Sequence, residues 1–441
     1  MKNIPRHILV LAAATTLISL AYAFYWHDRP RVDAAAYDKI GWNLAQGFGY
    51  IEEASNVLTP ELDWALIRVG PGYQFFLAAV YWIFGHKIWT VWVLQALLRG
   101  ASVILMWFIV RRLFPDMPRA ATIASVLFAF TPDLIVVSGL LLTETLFIFV
   151  FLAALLVTFT FFDRRQGMLL ILAAVLWPFA ILIRPTALLA FGFVLLLLGW
   201  RRDWRALAVL ALATICIIGP WSYTVSERYG RFILTTSVGS YDLWVGNHKG
   251  AAGGFEKTPE IQHVRNTVTM NELDRISRGE YKKFLFESPG EFIVLQIKKA
   301  ALYFSLIRPT GFWIHLADDP IHRLLTLVAS GILTALLFIG GIAGLLMLIP
   351  RIFREVKILF LGAVVVLQPM SVIPIIVESR YRFVLYPLLA ITAAFLIAHK
   401  KDVKSRRVVV IALALLGIAT MLDILFHGGA IVRRLQDALA L

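Results

Sequence analysis

The sequence has few charged residues and almost no cysteine. Charged residues make up 16% of the chain, whereas soluble domains average about 25%. The single cysteine, Cys216, excludes an intrachain disulfide and a metal site built from several cysteines, and its apolar surroundings predict an inert buried thiol. With 59% hydrophobic residues and a mean hydropathy of +0.77, the chain has more apolar surface than a soluble core can bury. The low share of charged residues and the high share of apolar residues indicate a membrane protein.

Long apolar stretches predict about eleven membrane spans, since roughly 17–25 apolar residues suffice to cross a bilayer as a helix. The first stretch follows a basic N-terminus and is long for the apolar core of a signal peptide, so we interpret it as an uncleaved span. The predicted spans are 7–25, 88–110, 119–137, 140–162, 168–183, 186–200, 206–222, 322–349, 357–377, 383–398 and 407–425.

Short basic loops precede the first predicted span and then follow every second one. Strict alternation of the spans places these loops and the N-terminus on one side, which the positive-inside rule assigns to the cytoplasm. The loops account for much of the net charge of +14, and no basic stripe with interleaved aromatic residues indicates nucleic-acid binding. Their basic residues include Lys2, Arg6, Arg111, Arg112, Arg164, Arg165, Arg201, Arg202, Arg205, Arg351, Arg354, Lys357, Lys400, Lys401, Lys404, Arg406 and Arg407.

The opposite, periplasmic side then receives the two longest polar segments, residues 26–87 and 223–321. We therefore divide the chain into a membrane module, 1–222, that includes the first of these segments, a periplasmic region, 223–321, and a set of C-terminal spans, 322–441. Long loops without low-complexity sequence usually carry function. The two polar segments are accordingly where we expect the site.

Periodicity predicts the local structure of both segments. Residues 34–46 have apolar side chains at helical spacing, which predicts an amphipathic helix on the membrane surface, whereas 72–85 is too short to span and is interpreted as interfacial or re-entrant. After residue 223, alternating apolar residues and glycines predict a few strands or irregular turns. Residues 268–287 predict a polar helix, and 291–307 predict a surface helix that leads back to the bilayer.

Two residues of the first segment have both a structural and a chemical interpretation. Asp33 stands at the start of the predicted surface helix, as a helix cap or as a general base that takes a proton from an acceptor hydroxyl. Arg68 precedes a Gly-Pro-Gly turn, either as a loop cation near lipid headgroups or as a guanidinium that neutralises phosphate on a leaving group.

Ionisable residues at the outer ends of later spans extend this set. Glu144 lies near the end of its span, where an ionisable group is costly and typically functional, although a carboxylate touching interfacial water is the alternative. Arg184 either binds phosphate or extends to the interface. The turn before the tenth predicted span forms either an internal salt-bridge network or a phosphate site, and its polar residues are Glu378, Arg380, Tyr381 and Arg382.

All these candidates fall on the outer face of a topology that was derived from other residues. Arginines suited to phosphate beside an acid suited to activating a hydroxyl indicate transfer from a lipid-phosphate donor. Because nucleotide sugars are cytoplasmic, an outward-facing site requires a lipid-linked donor. A transporter or flippase of lipid-linked glycans is the alternative from another class, but the predicted spans hold almost no polar residues apart from Glu144. A glycan polymerase or ligase, which uses a diphosphate-linked donor, is a third possibility.

Short motifs along nearly the whole chain have the order and spacing of a known family. They are Asp33 with Tyr37 and Gly47, Arg68 with Pro71 and Gly85, Pro132 with Thr143 and Glu144, Arg184 with Pro185, Pro220 with Trp221, Tyr229 with Gly230, Gly239, Gly246 with Asn247, Gly253, and Arg380 with Tyr381 and Pro387. On these residues the chain resembles the GT-C superfamily of integral-membrane glycosyltransferases. In particular, it resembles bacterial members of the family of protein O-mannosyltransferases and aminoarabinose (lipid A) transferases.

The resemblance implies an all-α polytopic fold with interfacial juxtamembrane helices, and an inverting transfer of sugar from a polyprenyl-phosphate donor. It implies that Asp33 is the catalytic base and Arg68 a phosphate contact. With the residues singled out above, the expected phosphate-binding set becomes Arg68, Arg184, Arg380 and Arg382. The expected substrate-binding residues are Tyr37, Glu144, Asn247, Glu378 and Tyr381.

The chain departs from the family pattern at two places. Val69 and Gly70 precede Pro71 where the family often has Pro-Pro, and Ala34 follows Asp33 where the protein mannosyltransferases have paired acids. The single acid argues against protein as acceptor and removes the strongest argument for a bound metal, so we expect no metal or cofactor. The expected protein is a monomer in the bacterial inner membrane, and its expected partners are the lipid donor, a glycolipid or glycan acceptor and the bilayer, without nucleic acid.

Overall fold

The computed structural model describes residues 4–59, 62–308, 320–399 and 403–439, and these residues form helices and loops without a strand. In chain order the helices are α1 (Arg6–Trp26), α2 (Asp33–Ala45), α3 (Pro71–Phe84), α4 (Ile88–Leu113), α5 (Pro118–Ala129), α6 (Pro132–Ser138), α7 (Glu144–Arg164), α8 (Gly167–Ile183), α9 (Ala187–Trp200), α10 (Trp204–Tyr229), α11 (Val238–Gly246), α12 (Pro259–Thr267), α13 (Met270–Glu287), α14 (Pro289–Phe304), α15 (Pro320–Ile352), α16 (Val356–Met370), α17 (Leu385–Ala398) and α18 (Val403–Leu439). Several begin at a proline, whose missing N–H costs nothing in a first helical turn.

Every predicted span coincides with an apolar helix or helix pair. Within the described ranges, six helices are long and apolar enough to cross a membrane: α1, α4, α7, α10, α15 and α18. Helices α5 and α6 form a broken segment bent by 56°, and α8, α9, α16 and α17 are apolar but shorter. The all-α fold and the positions of the predicted spans are thus confirmed, while their total of about eleven stays a prediction that depends on the shorter helices.

The bundle has a buried centre and an exposed edge. Helix α7 is buried over 78% of its most apolar stretch, whereas α10 is buried over only 22%. Cys216 lies on α10 and is exposed. The prediction of a buried thiol is therefore wrong, because an apolar run in this chain can face the bilayer as well as a protein core.

Polar side chains do occur inside the predicted spans. The Arg99 guanidinium in α4 donates to Ser19 Oγ at 2.8 Å and to the Ala129 carbonyl at 2.6 Å. Asp133 in α6 accepts hydrogen bonds from side chains of α15 and α17. The sequence-based statement that Glu144 is almost alone in this respect is therefore wrong. These groups join helices to one another, as an apolar environment requires of buried polar groups.

Ion pairs join the basic loops at one end of the bundle. Asp163 in the last turn of α7 binds Lys357 Nζ at 2.9 Å and Arg112 Nη1 at 3.3 Å, and Arg165 pairs with Asp203. The loops that follow α4 and α7 and precede α10 and α16 therefore lie close together. This arrangement agrees with the prediction that they share one side of the membrane.

At the other end, the predicted helices of the two polar segments are present. Helix α2 corresponds to the predicted surface helix, and α3 is the short apolar segment that packs against it. Helices α13 and α14 correspond to the two helices predicted within 223–321. The location of this region relative to the membrane plane stays a prediction.

Of the strands or irregular turns predicted after residue 223, turns are present at 230–237 and 247–258, whereas the described residues contain no strand. The chain continues α10 to Tyr229, and the glycine-containing stretch that follows forms α11. Tyr241, Trp244 and Val245 are the buried side chains of α11. Their spacing of three and four residues is the helical period, and it outweighs the short two-residue alternation that suggested strands.

Candidate active site

Asp33 lies in the first turn of α2, between two arginines from distant parts of the chain. Its Oδ1 is 3.3 Å from Arg68 Nη1, and its Oδ2 is 2.6 Å from Arg380 Nη2. The backbone enters the helix through Val32, which has a positive φ of 52°. Val32 is also the N-cap residue and provides no side-chain cap. The Asp33 carboxylate joins the first polar segment to the turn that precedes α17.

Arg68 is held on its other side by Glu52. The Arg68 Nε and Nη2 donate to the two Glu52 carboxylate oxygens at 3.0 and 2.7 Å, a two-pronged ion pair. The loop that carries Glu52 is organised by buried Asp63, which accepts from the backbone N–H groups of Glu52, Glu53 and Ala65 at 2.8, 3.0 and 2.9 Å. Sequence reasoning missed Glu52 and Asp63, because acids in a polar loop carry no pattern that separates them from surface acids.

A second ion pair, between Arg184 and Glu144, is almost completely buried. Arg184 Nη1 lies 2.8 Å from Glu144 Oε1, and the side chains are 6% and 2% exposed. The same guanidinium nitrogen donates to Thr143 Oγ1 at 3.2 Å. Glu144 begins α7, where the helix dipole favours a negative charge. The structure therefore brings together two residues that the sequence singled out separately.

The ring of Tyr381 connects the two ion pairs. The Arg184 guanidinium lies 5.6 Å and that of Arg380 5.4 Å from the ring centroid, within the range of cation–π contacts. Tyr37 is buried next to this group and packs edge to face on Tyr73, with ring centroids 5.7 Å apart. Asp33, Tyr37, Arg68, Glu144, Arg184, Arg380 and Tyr381 therefore form one cluster, which we call the arginine–carboxylate cluster.

Gly70 allows the loop that carries Arg68 to lie against the end of α8, next to Arg184. Its φ is +36°, and a Cβ there would stand 2.2 Å from the carbonyl oxygen of Leu182 and 2.3 Å from that of Ile183. Only glycine fits such a contact with a positive φ. This close approach gives a structural reason for Gly70 at the position where the chain departs from the Pro-Pro pattern.

An apolar cavity of about 510 Å³ opens beside the cluster. Arg184 and Tyr381 line it at the cluster, and Asp242 of α11 adds a carboxyl group. The hydroxyl side chains of the wall are those of Thr186, Thr235, Thr236 and Ser371. Most of the remaining wall is aliphatic and includes Leu188, Leu189, Val238, Met370, Ile375 and Ile376. Sequence reasoning missed Asp242, because no recognisable motif surrounds it between Tyr241 and Leu243.

The electrostatics of Asp33 and Asp242 differ. Burial alone would raise the pKa of Asp33, but the charge and hydrogen bond of Arg380, together with Arg68 and Lys257, outweigh burial and hold that pKa below its ordinary value. Burial raises the pKa of Asp242 to about 7, and the negative charge of Asp33 acts in the same direction. Asp33 is therefore held ionised, whereas Asp242 changes charge near neutral pH.

Three residues that the sequence put forward for the site lie outside the cluster. Arg382 is fully buried and donates to the backbone carbonyls of Leu302, Ser305 and Arg308 at 2.7, 3.1 and 2.9 Å. The hydrogen bonds of its guanidinium join the end of α14 to the turn before α17. The structure thus does not bring Arg382 to the phosphate-binding set in which the sequence placed it.

Asn247 and Glu378 also make local structural contacts. The Asn247 amide donates to the carbonyls of Pro374 and Ile375 at 3.2 and 3.0 Å, and its Oδ1 accepts from Lys299 Nζ at 2.7 Å. Glu378 Oε1 accepts from the backbone N–H of Phe255 at 3.1 Å. These contacts hold α11 and the following loop against the segment after α16, and the predicted substrate contacts of both residues stay predictions.

Comparison with known proteins confirms the predicted resemblance to GT-C glycosyltransferases. Residues 68–223 match the family model described as dolichyl-phosphate-mannose-protein mannosyltransferase. The matched part begins at Arg68 and includes Glu144 and Arg184, but not Asp33, Asp242 or Arg380. No curated protein sequence matches the chain.

Solved structures with a similar fold include ArnT from Cupriavidus metallidurans bound to undecaprenyl phosphate. The match has a TM-score of 0.50 and 16% sequence identity, and it covers 92% of this chain and 62% of the ArnT chain. The oligosaccharyltransferase AglB from Archaeoglobus fulgidus, in complex with an inhibitory peptide and a dolichol-phosphate, aligns with a TM-score of 0.47 and 15% identity over 95% of this chain and 55% of its own. The chain thus spans less than two thirds of either of these two solved chains. Its fold is the GT-C fold seen in ArnT.

Proposed function

We propose that the chain is a glycosyltransferase that moves a sugar from a polyprenyl-phosphate donor to an envelope acceptor at the periplasmic face of the bacterial inner membrane. The observation that carries this proposal is the meeting of Arg68, Arg184 and Arg380 in one cluster beside an apolar cavity, which Arg184 lines. Guanidinium groups suit phosphate, and an aliphatic wall suits an isoprenoid chain. ArnT, which has a similar fold, was solved with undecaprenyl phosphate bound, and this supports the same class of lipid for this chain.

The proposed chemistry is a direct displacement with inversion at the anomeric carbon. An acceptor hydroxyl attacks that carbon from the side opposite the phosphate, and the bond from carbon to phosphate oxygen breaks. The arginines stabilise the charge that develops on the departing phosphate. A carboxylate takes the proton of the hydroxyl, and the sequence-based hypothesis gives this role to Asp33. Lipid A, lipopolysaccharide, O-antigen and other glycolipids are the acceptors considered.

The alternatives differ in what they would bind and release. A flippase would bind a lipid-linked glycan and leave it chemically unchanged. A polymerase or ligase would prefer a diphosphate-linked lipid. The three arginines of the cluster are all already paired with acids, so they leave less positive charge than a diphosphate would need, which favours the monophosphate donor.

Binding of undecaprenyl phosphate to the purified protein, measured by native mass spectrometry, tests the donor class. We expect Arg68→Ala to weaken it about 10- to 100-fold, the loss of a charge-assisted contact. Arg275→Ala is the matched control, because that side chain is 79% exposed on α13. Tighter binding of undecaprenyl diphosphate, or equal binding by both variants, would contradict the proposal. Mass spectrometry of envelope glycolipids from cells with and without the protein then identifies the product, and identical profiles would contradict transfer.

A further inference from the structure

A second cleft, of about 390 Å³, lies at the end of the bundle that carries the basic loops. Pro5, the N-cap residue of α1, and Pro118, the first residue of α5, both line it, so two helix N-termini meet there. The first N–H groups of a helix have no partner within it, and the helix dipole favours a negative charge beside them. We call this the basic cleft, and its other lining residues are His7, Trp107, Arg111, Arg119 and Thr122.

The basic side chains of the cleft come from three helices. Arg111, in the last turn of α4, donates to the backbone carbonyl of Pro115 at 2.7 Å. The His7 imidazole of α1 shares a hydrogen bond with Thr122 Oγ1 at 3.2 Å, and Arg119 of α5 is exposed. Within the described part of the chain, no carboxylate lines the cleft and none forms an ion pair with these three side chains. Their positive charge is therefore available to an anion.

Other basic residues at this end of the bundle are neutralised by acids. Arg112, next to Arg111 in the sequence, lies 3.3 Å from Asp163, and Lys357 lies 2.9 Å from the same carboxylate. Asp116, the acid of the loop between α4 and α5, is exposed and does not line the cleft. The cleft thus differs from its surroundings in having cations without acids.

Trp107 provides an unused hydrogen-bond donor on the wall of the cleft. Its side chain is only 7% exposed, and its ring packs edge to face on Phe108 with centroids 5.0 Å apart. The indole N–H donates to no residue that the structure describes. An indole can only donate, and a buried one normally has an acceptor. An acceptor oxygen of a ligand in the cleft would supply the missing partner.

An apolar surface continues from the cleft along α5. Val126 and Phe130 are 39% and 47% exposed, and they follow Arg119 and Thr122 at spacings that keep all four residues on one face of the helix. Such a face suits acyl chains. A small soluble anion would leave it without a partner, so the arrangement favours a ligand that combines an anionic headgroup with a hydrocarbon tail.

We propose that the basic cleft binds the phosphate of an anionic phospholipid from the leaflet that the sequence predicts to be cytoplasmic. Arg111 and Arg119 bind the phosphate oxygens, the Trp107 N–H donates to one of them, and the acyl chains lie along α5. Arginines, helix N-termini and clefts between membrane helices are all suited to lipid phosphates. The cleft lies at the end of the bundle away from the arginine–carboxylate cluster, so this inference does not depend on the proposed function.

Native mass spectrometry of the purified protein with phosphatidylglycerol tests the cations of the cleft. We expect the double variant Arg111→Gln, Arg119→Gln to bind this lipid about 10- to 100-fold more weakly, because two charge-assisted contacts are lost. Arg202→Gln, Arg205→Gln is the matched control, since it removes the same charge from exposed residues at the same end of the bundle. Equal weakening by both double variants, or no weakening by the first, would overturn the proposal.

The Trp107→Phe variant tests the placement of the phosphate without changing any charge. We expect about fivefold weaker binding of phosphatidylglycerol, the loss of one hydrogen bond. Trp200→Phe is the control, because that ring is 72% exposed at the end of α9. The melting temperature of each variant without lipid verifies that the fold is intact. Wild-type affinity in folded Trp107→Phe protein would overturn the proposed contact.

Competition separates a membrane lipid from a soluble phosphate compound. We expect phosphatidylcholine, which has no net charge, to bind about tenfold more weakly than phosphatidylglycerol. Inorganic phosphate and sn-glycerol 3-phosphate, both without acyl chains, should not displace phosphatidylglycerol at millimolar concentration. Displacement by either soluble compound would identify a soluble phosphate as the ligand, and equal binding of the two lipids would exclude charge recognition. Either result would overturn the proposal.

Discussion

Two buried polar regions, both at the end of the molecule opposite the basic loops, use their cations in opposite ways. In the arginine–carboxylate cluster, Arg68 and Arg380 face acids beside a cavity, and the side chains of Arg68, Asp33 and Arg380 remain 18%, 21% and 16% exposed. In the second region, Lys299 and Arg382 are 0% exposed and face backbone carbonyls. The cluster can receive a ligand, whereas both cations of the second region, which we call the carbonyl anchor, are fully enclosed by the part of the chain that the structure describes.

The two regions differ in whether their cations can bind a ligand. A guanidinium paired with a carboxylate next to a cavity can turn toward phosphate when a ligand enters, because its partner acid is stabilised by a second cation. A cation that binds several carbonyls satisfies helix ends that would otherwise stay unpaired. Lys299 donates to Asn247 Oδ1 and to the carbonyls of Pro374 and Ile375, and burial lowers its pKa to about 7. The anchor thus maintains the position of α11, and with it Asp242.

Loss of Arg380 should give the largest effect on function. We expect Arg380→Ala to reduce product formation by about 10²–10³-fold, because it removes a donor aimed at the developing phosphate charge and releases Asp33. The readout is the glycolipid product in cells, normalised to the amount of folded protein in the membrane. Wild-type product levels in this variant would show that the cluster is not the phosphate site.

Loss of Arg382, two residues along, should affect stability instead. Arg382→Met leaves three buried carbonyl oxygens without their donor, which should cost about 3 kcal/mol of unfolding free energy. The measurement is thermal unfolding in detergent, with undecaprenyl phosphate affinity determined on the folded fraction and expected to be unchanged. Arg278→Met on α13 is the control, since its side chain is 59% exposed and its ion pair should contribute less than about 1 kcal/mol. A large loss of affinity without loss of stability would place Arg382 in the binding site.

This pair of arginines also shows how far the sequence alone could lead. The spans, the helices that follow Asp33 and Thr269, and the grouping of Asp33 with Arg68, Glu144, Arg184 and Arg380 at one end could be predicted, because hydropathy and basic loops determine the order of crossings. The separate tasks of Arg380 and Arg382 could not. Both residues belong to one short 3-10 turn, and their side chains bind different partners. Arg380 binds Asp33, and Arg382 binds carbonyls at the end of α14. Only the fold brings these partners to the turn.

The missed residues have the same physical cause. Glu52, Asp63 and Asp242 become recognisable only when a distant cation, a loop backbone or a cavity wall comes next to them. Asp242 in particular lacks a motif, and its raised pKa arises from burial and from Asp33, which lies 209 positions earlier in the sequence by their numbers. The strands predicted after residue 223 failed because a few alternating residues are weak evidence against helical burial of Tyr241, Trp244 and Val245.

Gly70 offers a way to disturb the cluster without touching its charges. Gly70→Ala would place a methyl group against two carbonyl oxygens of α8 at a positive φ, and we expect a loss of about 2 kcal/mol in stability with weaker undecaprenyl phosphate binding as the Arg68 loop moves away. Gly279→Ala is the matched control, since no atom lies near a Cβ there and alanine favours the interior of α13 by about 0.5–1 kcal/mol. Unchanged melting temperature and binding in Gly70→Ala would show that the close approach to α8 does not position Arg68.

The pH dependence of turnover gives the smallest effect, and it compares the two acids of the cluster and cavity directly. Burial opposes ionisation of Asp33, but Arg380 and Arg68 hold its pKa below the ordinary value, so Asp33 as base should give a rate that is constant from about pH 5.5 to 8.5. The donor is a phosphate diester with one permanent charge, so it does not titrate in this range. Burial raises the pKa of Asp242 to about 7. A rate of the purified protein that falls about tenfold for each pH unit below that value would therefore contradict Asp33 as the base and indicate Asp242 instead.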